Sequence, residues 1–187
     1  MKNYILPSLK LTGVLIILLA ALYPMLIAGV AKMAPGGGDG VTVSLNGKVV
    51  GYANVGQKFT DPKYFWGRPS AVDYNAAGSG GSNKGASNPD YLSTVQERID
   101  TFLVYNPGID KSQLPGDLIT ASGSGLDPNI SVQNALVQVK RIASTRNIKE
   151  ETLQNLITKN TEGPLLGLLG PEKINVLKLN IALDQLK

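Results

Sequence analysis

Hydrophobic positions are concentrated in one uninterrupted stretch near the N-terminus. Residues 11–31 (LTGVLIILLAALYPMLIAGVA) carry no charged and no strongly polar side chain. As a helix that rises 1.5 Å per residue, this stretch spans roughly 30 Å, the thickness of the hydrocarbon core of a bilayer. The pattern predicts a transmembrane helix over residues 11–31, preceded by a short N-terminal segment of residues 1–10.

A secretory signal peptide is the alternative for the same stretch. The apolar core of a signal peptide is about 7–15 residues long and ends at a cleavage site of small residues. Gly29-Val30-Ala31 offers such a site, although the run is longer than a signal requires. The pair Tyr23-Pro24 lies inside the run, and we expect a kink there that suits packing against other membrane helices.

The orientation of this helix depends on a few basic residues. Lys2 and Lys10 precede it, and Lys32 follows it. The positive-inside bias favours a cytoplasmic N-terminus, with the rest of the chain outside the cytoplasm. The reverse orientation would make the chain a nucleotide-binding regulator in the cytoplasm, and it stays open here.

The pattern after the helix predicts one small α+β domain. Residues 32–40 form a Gly-rich linker, and residues 41–187 form the domain. Two β-branched runs flank Asn46-Gly47, which is a strong signal for a β-hairpin. Leu118-Ile119-Thr120 predicts a third, short strand.

Four segments with an apolar face predict the helices of this domain. The first begins at Asn88-Pro89 and ends at Asn106. The second begins at Ser131, and its apolar stripe leaves Gln138, Arg141 and Arg146 outside it. The third covers residues 149–159 with Asn147 as its cap, and the fourth covers residues 175–186.

Charge and composition exclude several functional classes. The net charge is +4, from 18 basic and 14 acidic residues, but three of the basic residues flank the apolar helix. The domain therefore has a net charge near zero, and nucleic-acid binding, which needs a clustered basic face, is not expected. The chain has no histidine and no cysteine, which excludes Ser-His-Asp triads and His- or Cys-ligated metals.

The Gly-rich loops raise the question of anion binding. Residues 78–82 do not match a phosphate-binding P-loop, because Lys84 is followed by Gly85. The loop over residues 120–131 enters a helix N-terminus and is a candidate anion site, with capping and packing as the alternative. Arg68, Arg141 and Arg146 are candidates to bind a carboxylate or phosphate, or to form ion pairs with nearby aspartates.

A series of segments in fixed order resembles one protein family. They are Tyr23-Pro24, VGQKF (55–59), YFWGRPSA (64–71), SGGSNKGASNP (79–89), DLITASGSGLDPNIS (117–131), QVKRIASTR (138–146) and VLKLNIALDQL (176–186). Together they resemble the C subunit of the Kdp-type potassium-transporting ATPase, and the resemblance covers nearly the whole chain.

The resemblance implies a role in a four-part pump. Its partners would be a potassium-conducting subunit, a P-type ATPase subunit that hydrolyses ATP, and a small hydrophobic subunit, all in the inner membrane. The C subunit of this family is described as a catalytic chaperone that raises the ATP affinity of the ATPase subunit. It has no hydrolytic site, so no cofactor and no metal are expected on this chain.

The resemblance also supplies candidate contact residues. Tyr23 and Pro24 are candidates for packing in the membrane. Candidates for contact with a partner or ligand are Arg68, Ser70, Ser79, Ser82, Asn83, Ser122, Asp127, Asn129, Gln138, Arg141 and Arg146. A secreted or anchored domain that binds a small anionic ligand is the alternative function.

Overall fold

The structure is a computed structural model that describes residues 2–186. The chain divides into two compact units, the first ending at Thr42 and the second beginning at Val43. The first unit contains the apolar helix and the linker. The second contains helices and short antiparallel strands, so the predicted α+β class is confirmed.

The apolar helix is continuous and longer than predicted. It comprises α1 (Lys2–Ile16), a π-helical segment (Ile17–Leu22) and α2 (Tyr23–Ala31). The part from Tyr4 to Ala31 is long and apolar enough to cross a membrane, criteria that a signal sequence near an N-terminus also satisfies.

Pro24 explains the π-helical segment. Proline has no N–H, and its ring clashes with the carbonyl of the preceding turn in a regular α-helix. Here the Tyr23 N–H donates to the carbonyl of Leu18, five residues back, so the wider π turn lies directly before Pro24. The helix therefore departs from regular geometry at the predicted pair, while packing by Tyr23 and Pro24 stays a prediction.

Glycines with positive φ shape the linker and the turn of the first hairpin. The glycines at positions 36, 37, 38 and 40 all have positive φ, and turns continue from the end of α2 to Asp39. Strands β1 (Thr42–Leu45) and β2 (Lys48–Tyr52) form a two-stranded sheet. Asn46 (φ 51°) and Gly47 (φ 77°) take the left-handed conformations that a tight hairpin turn requires, which confirms the predicted hairpin.

Helix α3 (Pro89–Tyr105) begins where the sequence predicts. The Asn88 side chain caps it by accepting a hydrogen bond from the Tyr91 N–H at 3.1 Å. Ile99 and Phe102 are buried, whereas Leu92 is exposed, so only the C-terminal part of the predicted apolar face is covered.

The predicted strand at Leu118-Ile119-Thr120 is wrong. A 3₁₀ turn (Lys111–Gln113) and the short helix α4 (Gly116–Ile119) occupy this region. The Thr120 N–H donates to the Gly116 carbonyl at 2.9 Å. Short apolar runs do not distinguish strand from helix, and four residues are too few to show a helical period.

The predicted second helix is interrupted at Gln138. It consists of α5 (Val132–Val137) and α6 (Val139–Arg146), and Ser131 caps α5 through the Asn134 N–H, as predicted. The expectation that Gln138 and Arg141 lie off the buried face is wrong, since both are buried.

Helices α7 (Glu150–Asn160) and α8 (Val176–Asp184) complete the helical part. The predicted cap of α7 is wrong, because Asn147 instead ends α6 in the left-handed conformation (φ 55°). Asn175 caps α8 by accepting from the Lys178 N–H.

A small antiparallel sheet holds these helices together. Strands β3 (Asn129–Ile130), β4 (Thr161–Glu162) and β5 (Lys173–Asn175) are arranged in the order β3-β5-β4. None of them was predicted, because two or three residues are too few to show an alternating pattern.

The core lies between this sheet and helices α5 to α8. Its buried members are Phe65, Ile130, Ala135, Val139, Ile142, Ala143, Leu153, Leu156, Ile157, Ile174, Val176, Leu179 and Leu183. A smaller cluster of Phe102, Leu118 and Val137 lies beneath α3, with Trp66 packed against it.

Candidate functional site

Five of the predicted contact residues meet where two irregular loops cross. We call this crossing the loop junction. It brings residues 67–74 and 79–80 against residues 122–127, and it contains Arg68, Ser70, Ser79, Ser122 and Asp127.

Serine side chains and backbone groups form most of the loop junction. The Ser70 hydroxyl donates to the Gly125 carbonyl at 2.7 Å and accepts from the N–H groups of Val72 and Tyr74. The Ser122 N–H donates to the Pro69 carbonyl at 3.2 Å, and its hydroxyl accepts from the Gly125 N–H at 2.9 Å. These two serines therefore fix one loop against the other.

A partly buried ion pair spans the same junction. Arg68 Nη1 lies 3.0 Å from Asp127 Oδ2, with the side chains 25% and 27% exposed. The Tyr74 hydroxyl donates to the Arg68 carbonyl. Burial, and then the negative charge of Asp127, raise the pKa of Tyr74 to about 12. Tyr74 is therefore neutral at any physiological pH and acts as a hydrogen-bond donor.

The other predicted residues of these loops differ in exposure. The Ser79 hydroxyl and the Gly80 N–H both donate to the Ser124 carbonyl at 2.9 Å. Ser82 and Asn83 lie on an exposed part of the loop. Asn129 is in β3, opposite Asn175 of β5.

Arg141 is buried in a cage of oxygen atoms. Its guanidinium donates to the carbonyls of Pro62 and Tyr64, to the Asn106 side chain at 3.1 Å and to Gln138 Oε1 at 2.6 Å. It also lies 4.2 Å from the centre of the Trp66 ring. Burial lowers its pKa to about 10, so the group stays charged at neutral pH.

Gln138 joins the same cage to the main chain of residue 66. Its Oε1 accepts from the Trp66 N–H at 2.8 Å, and its Nε2 donates to the Trp66 carbonyl at 3.1 Å. The amide also donates to the Asn134 side chain at 2.8 Å. Gln138 and Arg141 thus attach the segment over residues 62–66 to helices α5 and α6.

Arg146 attaches the same segment to α8. Its Nη2 donates to Asp184 Oδ1 at 2.6 Å, and its Nε donates to the Lys63 carbonyl at 2.8 Å. The guanidinium lies over the Tyr64 ring at 4.9 Å, and the Tyr64 hydroxyl donates to the other Asp184 oxygen. That hydrogen bond is the main reason why the pKa of Tyr64 is raised.

The loop over residues 120–131 uses backbone donors within the chain. The N–H groups of Ser122, Gly125, Leu126, Asn129 and Ser131 all donate to groups of this chain. The carboxylate of Asp117 also accepts from the Ser131 N–H, the Ser131 hydroxyl and the Asn134 amide. An anion would meet occupied donors and two carboxylates here, so the geometry supports the capping and packing alternative.

An open cleft of about 590 Å³ lies beside the loop junction, between α3 and residues 58–74. Trp66 lines it, with the rings of Phe102 and Tyr105 edge-on to the Trp66 ring at centroid distances of 6.3 and 5.2 Å. Its wall carries basic and acidic groups: Lys58, Arg68, Arg98, Asp73 and Glu97. Sequence reasoning named Arg68 and Ser70 but missed the cleft, although the only tryptophan of the chain lies two positions before Arg68.

Residues 2–186 were also searched for clusters of side chains that could hold a metal ion. Among these residues, no three acidic side chains come together in a way that would hold a metal ion. The groups that contact Arg68, Arg141 and Arg146 belong to the fold itself.

Comparison with known proteins connects this architecture to a family. The family model described as KdpC, K⁺-transporting ATPase, c chain, matches residues 5–185. This match covers the apolar helix, both crossing loops and the last helix. The chain belongs to the KdpC family.

Individual KdpC relatives match this chain over all or nearly all of their length. The chain is 57% identical to the potassium-transporting ATPase KdpC subunit of Flavobacterium psychrophilum and 58% identical to that of Flavobacterium johnsoniae, each over 100% of both chains. It is 50% identical to the KdpC subunit of Bacteroides fragilis over 98% of this chain and 97% of that protein. The resemblance found in the motifs is thereby confirmed.

Proposed function

We propose that this chain is the accessory, non-hydrolytic subunit of an ATP-driven potassium uptake complex. The observation that carries the proposal is the KdpC match over residues 5–185, which includes both the apolar helix and the folded domain. The partners would be the potassium-conducting subunit, the P-type ATPase subunit and the small hydrophobic subunit. Catalysis would belong to the ATPase partner.

The apolar helix supports a membrane location. It would be retained as a single span over residues 11–31 in the inner membrane, with residues 1–10 cytoplasmic and residues 41–187 extracytoplasmic. Lys2 and Lys10 before the span favour this orientation. Tyr23, Pro24 and the adjacent π turn would provide an irregular surface for packing against partner helices.

We also propose that the chain raises the ATP affinity of the ATPase subunit, and the orientation above constrains how it would do so. A P-type ATPase subunit binds ATP on the cytoplasmic side, and the folded domain of this chain would lie on the other side. An effect on ATP affinity would then be a coupling free energy transmitted through subunit packing, not a contact with nucleotide. The hydrogen bonds of the loop junction and of the Arg141 cage support that role. They hold parts of the domain rigidly together, and a rigid domain can transmit a displacement between subunits.

The test compares the complex produced with and without this chain. The proposal expects the ATP concentration for half-maximal hydrolysis to rise when the chain is absent, on the order of 5- to 100-fold for a typical coupling. Unchanged potassium-stimulated ATPase activity in its absence would overturn the proposal. ATP hydrolysis by the isolated full-length chain would overturn its non-hydrolytic part.

A further inference from the structure

An exposed apolar loop projects between β4 and β5. We call residues 163–170 (GPLLGLLG) the leucine loop. Its leucines at positions 165, 166, 168 and 169 are 68%, 84%, 86% and 61% exposed. No residue of the loop carries a charge. Neighbouring leucines exposed to this degree form an apolar patch of the kind that marks a membrane or protein contact.

The backbone of the leucine loop satisfies most of its own hydrogen bonds. Leu165 and Leu169 donate to each other's carbonyls at 2.8 and 2.9 Å, and the N–H groups of Gly167 and Leu168 donate to the carbonyls of Pro164 and Leu165. Four of the five N–H groups from Leu165 to Leu169 therefore have a partner inside the loop. The acyl chains of a bilayer offer no hydrogen-bond partner, so a segment that enters them must satisfy its backbone groups internally. The leucine loop comes close to this requirement, which a loop surrounded by water does not have to meet.

Two lysines stand at the base of the leucine loop. The strands that carry the loop end at the pair Glu162 and Lys173, and Glu162 lies 3.9 Å from Lys173 and 3.2 Å from Lys178. These three side chains are 44% to 49% exposed, so both ammonium groups are also accessible to a lipid phosphate. Lysines beside an apolar segment extend to the headgroup level of a membrane. The carboxylates of Glu162 and Glu172 suit the amine of a zwitterionic headgroup.

The composition of the leucine loop favours lipid over a recess in a protein. The side chains that carry most of the binding energy in protein interfaces are Trp, Tyr and Arg, and leucine is under-represented among them. The loop consists only of leucine, glycine and proline. Leucine is among the residues that enter a bilayer most favourably.

The linker limits how far the folded domain can lie from a membrane. Its nine residues (32–40) span at most about 30 Å when fully extended. With the apolar helix retained in a bilayer, as proposed above, the domain begins within this distance of the lipid surface. The effective concentration of lipid at the domain is then high, so a patch too small for a stable protein interface is sufficient for a lasting contact.

We propose that the leucine loop inserts into the lipid bilayer that holds the apolar helix, with its leucines among the acyl chains and Lys173 and Lys178 at the level of the phosphates. The proposal rests on the proposed function, because it requires the apolar helix to be retained in the membrane. The contact would be a second attachment of the domain to the bilayer, and it would limit rotation of the domain about the linker.

Quenching by lipid provides a direct test, because the chain has no cysteine of its own. Leu168→Cys is compared with Val104→Cys, which replaces an apolar residue of α3 that is 77% exposed. Each full-length variant carries a thiol-linked fluorophore and is placed, alone and in the assembled complex, in phosphatidylcholine nanodiscs with or without brominated acyl chains. We expect brominated lipid to lower the fluorescence of the Leu168→Cys label about twofold in both samples. The Val104→Cys label should change little.

Three outcomes would overturn the proposal. An unquenched Leu168→Cys label in both samples would show that the loop does not reach the acyl chains. Quenching in the chain alone but not in the complex would show that a partner subunit covers the loop. Equal quenching of both labels would show that the lipid contact is not specific to the loop.

Failure of the proposed function would look different. A wild-type chain that is not retained in nanodiscs, or that does not co-purify with its partners, would contradict the proposed function and this inference together. A chain that is retained and assembled but shows no quenching would overturn this inference alone.

A charge in the loop tests whether its apolar surface causes the insertion. Leu166→Glu is added to the labelled Leu168→Cys variant, at a residue that is 84% exposed, so the fold is retained. We expect quenching to fall to the level of the Val104→Cys label, because a carboxylate among acyl chains is costly. Leu166→Met is the matched apolar control and should keep the quenching of the parent variant. Equal quenching with glutamate and methionine would overturn the proposal.

Discussion

At the scale of single residues, helix periodicity does not predict which polar side chains become buried. The periodicity of the second predicted helix places Gln138 and Arg141 away from the apolar stripe, yet both are buried. The reason is that their partners come from residues 62–66 and Asn106, distant in sequence. A helical wheel identifies faces, but it does not show that a polar face will be covered by a segment with matching donors and acceptors.

Arg141 is therefore expected to contribute to stability. Arg141→Lys keeps the charge but loses the planar set of donors that reaches four oxygens at once. We expect it to lower the free energy of unfolding by about 2–4 kcal/mol. Denaturant unfolding of the full chain in detergent, followed by Trp66 fluorescence, measures this change.

The control is Lys140→Arg at the neighbouring exposed position, which should change stability by less than about 0.5 kcal/mol. A loss below 1 kcal/mol for Arg141→Lys would contradict the cage as described.

The raised pKa of Tyr74 predicts how the free energy of unfolding changes at alkaline pH. Its pKa in the folded chain is raised to about 12, above the ordinary value of 10.0. The unfolded chain therefore loses this proton first, so the stabilisation is complete below pH 10 and declines as the pH rises toward 12. Because the side chain is partly exposed, we expect about 1–2 kcal/mol to be lost over this range.

Tyr74→Phe isolates this contribution. The variant lacks the ionisable hydroxyl, so the difference in unfolding free energy between wild type and variant should shrink from pH 9.5 to pH 11.5. A difference that stays constant would show that Tyr74 ionises equally in both states.

At the scale of secondary-structure elements, the sequence predicts the turns and helix caps that depend on neighbouring residues. The hairpin turn at Asn46-Gly47 and the caps at Asn88 and Ser131 depend on nearby residues, and all three were predicted. Strands β3 to β5 exist only because Ile174 pairs with residues on both sides, about 13 and 44 positions away. Strands of two or three residues are too short to show an alternating hydrophobic pattern, so this pairing could not be predicted from the sequence.

The loop junction depends on a glycine in the left-handed region, while contact of its predicted residues with a partner stays a prediction. Gly125 has φ 69°, and a Cβ there would lie 2.5 Å from a Val72 methyl and 2.8 Å from the Gly80 carbonyl. Gly125→Ala should therefore lower the free energy of unfolding by about 2–3 kcal/mol.

Gly123→Ala is the matched control from the same loop. A Cβ at position 123 meets nothing within 4 Å, so the change should be close to neutral. Equal effects of the two alanines in denaturant unfolding would mean that the loops do not cross as described.

At the scale of the whole molecule, the proposed function gives the apolar helix and the folded domain separate roles. The helix would hold the chain in the membrane, and the domain would act on the complex from the opposite side to ATP. The KdpC match spans both parts, which is why neither part alone is expected to be sufficient.

The most direct test of the account is the potassium-stimulated ATPase activity of a complex whose chain ends after residue 40. This variant keeps the apolar helix and the linker but lacks the entire folded domain. The account predicts that the truncated chain still enters the membrane while potassium-stimulated hydrolysis falls to the level of a complex without this chain. An intact complex with full potassium-stimulated activity would contradict it.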